Sequence, residues 1–387
     1  MNRFNAIAIT FALSWSVSAA ANETGREPYA LARALQFAQD ATVRDGGSAR
    51  AAVVAAVERM AAEFPNADAA AWKDARNARA LSLFLLSGGP PRVVRTIVAR
   101  AELPKDETSL IRGALAFAEG RHAEATRLLE PLDPLVLPAD VGGHVALVQA
   151  ALIPRDKPDE QLARLSVARL LMPGSIIEES ALRRSVDIAA SARKDEQTLI
   201  LLEQYHRRFP RSAYAPTLEA RALGILTEQL LSEDGALRER AISVSGNLRP
   251  EQRKAILVQV AQRALRTGSY EPAMLSAGRL LAEATPGTQD AAKASLYLGA
   301  AEIVAGRFDE GVGRLTRVEQ GLLDAQHQRL HRAATLLAMQ MRSWPPNNGK
   351  APPKRPNGET TVVDKTISHA ETLLVDATRA IKKAGPK

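Results

Sequence analysis

The strongest candidate for a metal site is a pair of histidines, His327 and His331, spaced four residues apart on a predicted helix. Two imidazoles at this spacing can bind one zinc ion if a third ligand completes the site. Asp324 lies one turn earlier, but the sequence fixes no third ligand, and arginines and glutamines surround the pair. We therefore interpret the histidines as part of a solvated helix face and predict that the protein binds no metal.

A second candidate chemistry is glycoside cleavage at Glu178, Glu179 and Ser180. Lytic transglycosylases combine a helical superhelix with a catalytic glutamate–serine pair, and the glutamic acid must be partly desolvated beside the sugar. Here Arg183 and Arg184 follow the pair and would keep a carboxylate ionised. The G-L-M-Q run that those enzymes carry is also missing. Because the helix dipole alone favours acidic residues at a helix N-terminus, a wall-cleaving enzyme is an alternative that the residues do not favour.

Other catalytic motifs are weak or missing. Ser191 and Lys194 match S-x-x-K, a spacing that arises often by chance, and the companion elements of penicillin-recognising enzymes are missing. The sequence has neither a G-x-x-x-x-G-K phosphate loop nor a strand-bound G-x-G-x-x-G. Cysteine is missing altogether, which excludes disulfides, thiolate metal sites, cysteine catalysis and a lipid-attachment cysteine. We predict no catalytic residues and no cofactor.

A polar cluster around a tryptophan is the best candidate for a protein-binding surface. Trp72, Arg76 and Arg79 stand at the start of a predicted helix that Asp74 can cap. Tryptophan and arginine are enriched at the hot spots of protein interfaces, which favours partner binding through these three residues. In the alternative interpretation, Trp72 packs against a neighbouring helix and the arginines are solvated.

The elements that must position these residues follow a repeated pattern. Residues 110–129, LIRGALAFAEGRHAEATRLL, predict two short helices joined at Gly120, because glycine adopts the left-handed conformation that ends a helix without steric cost. Gly113 and Ala116 are small and allow another helix to approach closely. This spacing resembles the helix–turn–helix unit of tetratricopeptide repeats. Such a unit cannot bury its apolar face alone and needs neighbours.

Further copies of the pattern extend it into an array. Residues 296–315, LYLGAAEIVAGRFDEGVGRL, align with the first copy without a gap, so that Gly299 and Gly306 match Gly113 and Gly120. A weaker copy runs through residues 261–273. The irregular spacing of the copies predicts a degenerate, all-α tetratricopeptide-like solenoid, and arrays of this kind usually hold other proteins.

Composition agrees with an all-helical protein of 387 residues. Aromatic residues make up only 4%, and no sustained alternation of β-branched residues predicts a strand. The formal charge of +8 would suit nucleic acid, an acidic envelope surface or an acidic partner. Because the arginines are spread beside glutamates and do not alternate with aromatic residues, we predict no nucleic-acid binding.

Both ends of the chain differ from the predicted array, which we place at residues 22–343. Residues 1–21 combine Arg3, an apolar run and small residues around Ala20, which predicts a secretory signal peptide and a periplasmic protein without membrane insertion after cleavage. Residues 344–361 are rich in proline and predict a linker. Residues 362–387 predict an amphipathic C-terminal helix, which either folds back on the array as a cap or binds a partner.

Several runs resemble one known family. Stretches similar to the MotC family of flagellar motility proteins in alpha-proteobacteria are WKDARNARALSLFLLSGGPPRVVRTI at 72–97, RGALAFAEGRHAEATRLL at 112–129, GGHVALVQAALI at 142–153 and RRFPRSAYA at 207–215. The resemblance implies a secreted helical protein without catalytic residues that is needed for flagellar rotation. It further implies contact with the periplasmic segment of the stator subunit MotB and a role in energy coupling. A general periplasmic scaffold in envelope assembly is the alternative that the residues leave open.

Overall fold

The computed structural model describes residues 27–342 and contains only helices and turns there, which confirms the all-α prediction. The predicted signal peptide at 1–21, the linker at 344–361 and the C-terminal helix at 362–387 lie outside the described residues. One compact unit extends through Thr335, and a second unit begins at Leu336, within the last described helix. Between residues 27 and 342, every helix is too short or too polar to cross a lipid bilayer.

The first part of the described chain forms four helical hairpins. Their bounds are α1 (Pro28–Arg44), α2 (Arg50–Glu63), α3 (Ala75–Leu86), α4 (Pro91–Arg100), α5 (Lys105–Ala118), α6 (His122–Leu129), α7 (Ala139–Leu152) and α8 (Pro158–Leu171). A 3-10 turn, Ala69–Lys73, lies between α2 and α3. Phe64–Asn66 forms a 3-10 turn after α2, and Pro91 is the first residue of α4.

The second part continues the same pattern with four more hairpins and one further helix. Their bounds are α9 (Ile176–Ser191), α10 (Asp195–Arg208), α11 (Ala215–Leu230), α12 (Gly235–Ser245), α13 (Pro250–Thr267), α14 (Tyr270–Glu283), α15 (Gln289–Val304), α16 (Phe308–Thr316) and α17 (Ala325–Arg342). In each hairpin an odd-numbered helix packs against the helix that follows it. The prediction of tetratricopeptide-like hairpins is therefore confirmed.

One turn geometry recurs in five of these hairpins. A residue with a positive φ ends the first helix, and the next backbone N–H donates to the carbonyl five residues earlier, which is the Schellman arrangement. The residues with positive φ are Gly88, Gly120, Arg193, Gly268 and Gly306. Arg193, with φ of 57°, is the single non-glycine residue with a positive φ among residues 27–342. The left-handed prediction for Gly120 is confirmed by its φ of +75°.

Small residues let the two helices of a hairpin touch. A Cβ atom added to Gly113 on α5 would lie 2.5 Å from Leu129 Cδ2 on α6. At the matching position on α15, a Cβ on Gly299 would lie 3.0 Å from Leu315 Cδ2 on α16. The two best copies of the sequence pattern therefore pack alike, as their alignment predicts. The hairpins share an apolar core that neither helix could bury alone.

Ion pairs join several neighbouring hairpins along the array. Most connect residues 28 to 37 positions apart, which is about one repeat. These pairs, which we call the rungs, include Arg79–Glu107, Arg221–Asp187, Arg240–Glu203, Lys254–Asp290 and Arg263–Glu228. Because most of these side chains are partly exposed, each rung adds little free energy, about 0–1 kcal/mol.

The beginning of the array also contacts its middle. Asp40 Oδ1, near the end of α1, accepts the Ile176 N–H at the start of α9 over 3.0 Å. The Ala213 N–H donates to the Thr42 carbonyl over 3.0 Å, and Arg50 Nη2 donates to the Ala213 carbonyl over 3.0 Å. These contacts span more than 130 residues. Hence the first hairpin is tied to the fifth as well as to its sequence neighbour.

Candidate partner-binding surface

Trp72 lies in the core and not on the surface. Asp68 caps the 3-10 turn that carries Trp72, because its side chain accepts the Ala70 N–H. The indole is fully buried and meets the Phe64 ring edge-on at 5.4 Å between centroids. Phe64 in turn packs on Phe84 of α3 at 5.3 Å. The structure therefore corresponds to the alternative interpretation, in which Trp72 packs against neighbouring elements and presents no area to a partner.

Arg76 is the member of the predicted cluster that reaches solvent. Its Nη2 donates to Asp74 Oδ2 over 2.8 Å, and its guanidinium carbon lies 5.5 Å from the centroid of the Tyr29 ring. Asp74 also caps α3 by accepting the Arg76 backbone N–H over 2.7 Å, so the predicted cap is confirmed. The hydrogen bonds from Arg76 hold the pKa of Asp74 below its ordinary value. Tyr29 and Arg76 together form an exposed strip, which we call the Tyr29–Arg76 edge.

Arg79 connects two hairpins. Its Nη1 donates to Glu107 Oε1 over 2.5 Å, and the pair is largely buried between α3 and α5. A charged hydrogen bond with little solvent access contributes mainly to the geometry of the array. Of the three predicted binding residues, Arg76 alone is exposed, and partner binding through it stays a prediction.

Asn77 forms hydrogen bonds that join the elements carrying the Tyr29–Arg76 edge. This buried side chain accepts the Tyr29 N–H at Oδ1 over 2.9 Å. Its Nδ2 donates to Glu27 Oε2 over 2.8 Å and to the Ala71 carbonyl over 3.0 Å. Asn77 thereby joins the start of α1 to the 3-10 turn and to α3. Tyr29 and Arg76 are about 50 residues apart in the sequence, and no local sequence pattern predicts their contact.

The histidines of α17 are buried, so the prediction of a solvated face for them is wrong. Tyr297 of α15 donates its hydroxyl to His327 Nε2 over 2.5 Å, and His327 Nδ1–H donates to Asp324 over 2.6 Å. His331 Nε2–H donates to the Leu315 carbonyl over 2.9 Å. The surrounding arginines and glutamines suggested exposure to solvent. In the structure, α17 instead packs both histidine side chains against α15 and α16.

These bonds explain the charge state around α17. The bonds from His327, together with Lys293, hold the pKa of Asp324 well below its ordinary value. Both ring nitrogens of His327 have protein partners, so neither is directed at a vacant coordination position. In the part of the chain that the structure describes, no group of three or more histidine, aspartate or glutamate side chains is arranged to hold a metal ion.

The two glutamates weighed for glycoside cleavage are held in structural bonds. Glu178 accepts from Arg208 Nε over 2.5 Å and from the Gly174 N–H over 2.6 Å. Glu179, which is fully buried, accepts from the Tyr205 hydroxyl over 2.6 Å and from Arg183 Nε over 3.1 Å. Burial and the neighbouring Glu179 raise the pKa of Tyr205 far above its ordinary value, so the phenol remains a donor. The arrangement fixes α9 against α10.

The S-x-x-K residues belong to the turn between α9 and α10. Ser191 is exposed at the end of α9, and the Lys194 N–H donates to the Ala189 carbonyl over 2.9 Å. Lys194 Nζ lies 2.9 Å from Asp159 Oδ1 of α8. The lysine is thus engaged with a neighbouring helix.

A groove between α6, α7 and α8 is a feature that the sequence did not reveal. It encloses about 390 Å³ and is lined by apolar side chains such as Leu152 and Val167, with Arg164 beside them. Gln149 also lines the groove and donates to the carbonyls of Leu129 and Leu132, each over 2.8 Å. The groove arises only where three helices meet, so no linear motif signals it.

Comparison with known proteins identifies relatives of different closeness. The tetratricopeptide-repeat domain of P58(IPK) is similar at 13% identity, covering 83% of this chain and 91% of that one, but its TM-score is only 0.23. The chain is 27% identical over 320 residues to Chemotaxis protein MotC of Rhizobium meliloti (strain 1021), which covers 80% of this chain and 71% of the relative. The profile of the family described as Chemotaxis protein MotC matches residues 1–384. The chain therefore belongs to the MotC family of chemotaxis proteins.

Proposed function

We propose that this protein is exported to the periplasm and supports flagellar rotation by binding another protein, the periplasmic segment of a MotB-type stator subunit. The observation that carries the proposal is the family match over residues 1–384, with a relative named for chemotaxis. The partner and the compartment come from the family resemblance of the sequence and from the signal pattern of residues 1–21.

Features of the fold support binding over catalysis as the mode of action. Hairpin arrays present long surfaces suited to protein partners. The Tyr29–Arg76 edge offers a cation and an aromatic ring to such a partner. The carboxylates that could have served an enzyme, Glu178 and Glu179, are instead committed to bonds with arginine side chains. The groove beside Arg164 is a second surface for a side chain of the partner.

A deletion strain tests the role in motility. Cells without the gene should assemble flagella of normal number and length but spread poorly on motility plates, and the gene on a plasmid should restore spreading. Normal swimming of the deletion strain would contradict the motor role and favour the general envelope scaffold. Release of muropeptides from cell walls by the purified protein would instead support the wall-cleaving alternative.

Charge reversal tests the proposed surface. Arg76→Glu should weaken binding of a purified MotB-type periplasmic segment by about tenfold or more if Arg76 is part of a hot spot. Arg59→Glu, an exposed arginine on α2, is the matched control and should leave the affinity within about twofold because isolated surface charges contribute little. Equal affinities of both variants and the parent protein would exclude the Tyr29–Arg76 edge as the interface. Arg164→Glu applies the same test to the groove.

Export is tested separately from binding. The periplasmic fraction should contain a chain whose N-terminal sequence begins near Ala20 or Asn22. A chain that still begins at Met1 and sediments with membranes would contradict the proposed compartment without bearing on the partner.

A further inference from the structure

The loop between α6 and α7 presents two adjacent apolar side chains to solvent. Within residues 130–138, EPLDPLVLP, Leu135 is 57% exposed and Val136 is 81% exposed. Val136 is the most exposed of the large apolar side chains in residues 27–342. Scattered exposed apolar residues are normal on protein surfaces, so this pair indicates a binding site only if the loop is built to present it.

The loop is fixed to the core on both sides of the exposed pair. Leu132 before the pair and Leu137 after it pack against the buried apolar cluster that α1 to α7 share, and Pro134 is buried. Gly142 of α7 permits a close approach of the loop, because an added Cβ atom would clash with the Pro134 carbonyl oxygen. The apolar residues of the loop therefore divide into buried anchors and one exposed pair.

Hydrogen bonds hold the exposed pair in one conformation. The side chain of Asp133 accepts the Leu135 N–H at Oδ1 over 3.0 Å, and its carbonyl accepts the Val136 N–H over 3.1 Å. Gln149 of α7 donates to the Leu132 carbonyl. Prolines, which have a fixed φ, occupy positions 131, 134 and 138. Because the loop is held in this way before a partner arrives, binding through it loses little conformational entropy.

The end of α8 adds apolar area at the same end of the fourth hairpin. Leu170 is 72% exposed, and only Val136 exceeds it among the large apolar side chains of the described residues. The Cβ atom that would clash with Pro134 on Gly142 would also lie 3.1 Å from Leu171 Cδ1. The loop and the last turn of α8 thus meet α7 at one point. We call Leu135, Val136 and Leu170 the loop surface.

Negative charge accompanies the loop surface. Residues 128–154 contain neither lysine nor arginine, although the formal charge of the whole protein is +8. The same residues contain three carboxylates: Glu130, Asp133 and Asp140. Lys157 interacts electrostatically with Glu130, but its Nζ bonds Glu160 over 3.0 Å. The negative charge beside the apolar side chains disfavours an anionic lipid surface and favours a protein partner with basic residues.

We propose that the loop surface is a docking site for a partner protein that offers an apolar pocket with a basic rim. Leu135 and Val136 enter the pocket, and Glu130 and Asp133 face the lysine or arginine side chains of the rim. The proposal rests on the proposed function for the identity of the partner, the MotB-type periplasmic segment. It adds a surface and a partner chemistry that the Tyr29–Arg76 edge does not supply.

Truncation of the exposed pair tests the apolar part of the proposal. Val136→Ser should weaken binding of the purified MotB-type periplasmic segment by about tenfold or more, because a central apolar contact is lost. Val54→Ser on α2 is the matched control, since Val54 is 56% exposed, and it should leave the affinity within about twofold. Both side chains are exposed, so thermal melts of both variants should coincide with that of the parent.

Removal of charge tests the basic rim. The double variant Glu130→Gln/Asp133→Asn loses two charges, while the asparagine keeps the oxygen that accepts the Leu135 N–H. The affinity of the parent should fall between about 0.05 and 0.5 M salt, and the fall should be smaller in the double variant. An equal salt dependence of the parent and the double variant would overturn the basic rim.

The outcomes separate this surface from the proposed function. If the parent chain does not bind the MotB-type segment, the partner and the loop surface are both rejected. If the parent binds and Val136→Ser binds as tightly as Val54→Ser, the loop surface alone is overturned and the partner stands. Light scattering that shows self-association of the parent, lost in Val136→Ser, would assign the surface to a second copy of the chain and would also overturn the proposal.

Discussion

At the scale of single residues, the burial of Trp72 means that its side chain contributes to stability and not to a binding surface. Trp72→Ala should lower the free energy of unfolding by about 3–5 kcal/mol because it leaves a large cavity beside Phe64. The indole N–H has no hydrogen-bond partner, so Trp72→Phe, which keeps the ring contact and removes that group, should cost clearly less. Urea unfolding followed by circular dichroism measures both. Equal stability of the Trp72→Ala variant and the parent would contradict the core position.

Arg193 occupies a conformation that suits glycine. Its φ of 57° places a Cβ atom in the left-handed region, at a cost of about 1–2 kcal/mol. Arg193→Gly should therefore raise the stability by about 1 kcal/mol, as glycine relieves the strain but adds freedom to the unfolded chain. Gly120→Ala is the mirror experiment, because a Cβ there meets no atom within 4 Å and any loss reflects the backbone alone. A lower melting temperature for Arg193→Gly than for the parent would contradict a left-handed turn at Arg193 like that at Gly120.

Buried histidine predicts a loss of stability in mild acid. His144 donates from Nδ1 to the Asp140 carbonyl over 2.6 Å, and burial lowers the pKa of its ring despite the nearby Asp140 and Asp40. Below the ordinary histidine pKa of about 6.5, the imidazole binds a proton more readily in the unfolded chain than in the folded chain. The free energy of unfolding is therefore highest above that pKa and falls as the pH drops below it. Urea unfolding at pH 7.5 and 5.5 measures the fall.

A variant isolates the contribution of that ring. His144→Gln cannot titrate, so the loss of stability between the two pH values should be smaller than in the parent. Asp40, whose pKa is raised by burial, titrates in the parent and in the variant and contributes mainly in the opposite direction. An identical pH dependence in both proteins would contradict a buried neutral His144.

At the scale of elements, the hairpin contact at Gly113 makes a paired prediction. Gly113→Ala places a methyl group against Leu129 and should destabilise the protein by about 1–3 kcal/mol. Gly224→Ala is the matched change inside α11, where nothing lies within 4 Å of the added Cβ, and it should stabilise by about 0.5–1 kcal/mol. Opposite signs in thermal melts are expected. The same sign for both would mean that helix propensity, and not contact between α5 and α6, determines the result.

The sequence predicts elements whose signals are local. Gly120 and Gly306 end helices because glycine at that spacing permits the turn, and both have positive φ. Arg193 makes the same turn without a local signal, since arginine has no preference for the left-handed region. The turn there joins α9 and α10, which pack against each other.

Positions that depend on distant partners were harder to predict. Burial of His327 requires Tyr297, 30 residues earlier, and burial of Trp72 requires both Phe64 and Phe84. Histidine and tryptophan both occur at exposed and at buried positions. The packing of the assembled hairpins therefore determines whether each of these side chains is buried. The Tyr29–Arg76 edge was missed for the same reason, whereas Arg76 itself was correctly expected at the surface.

At the scale of the whole molecule, the contact between the first and fifth hairpins distinguishes this array from a linear one. In a linear array a perturbation spreads only to neighbouring repeats. Asp40→Ala removes the acceptor for the Ile176 N–H and should accelerate amide exchange in α1 and at the start of α9 together. Asp45→Ala, at an exposed position just after α1, is the control and should affect α1 alone. Unchanged exchange in α9 of the Asp40→Ala variant would mean that the long-range contact carries no free energy.

The rungs have a consequence for how such a chain can change in length. Because each rung joins residues about one repeat apart, duplicating or deleting a complete hairpin keeps the remaining helices in phase and disturbs rungs only at the new junction. An insertion of two or three residues within a helix rotates every later side chain by 200–300° at about 100° per residue and breaks the rungs on both sides. Length variation among related chains should therefore occur in units of whole hairpins or within the turns, and comparison of related genes can test this.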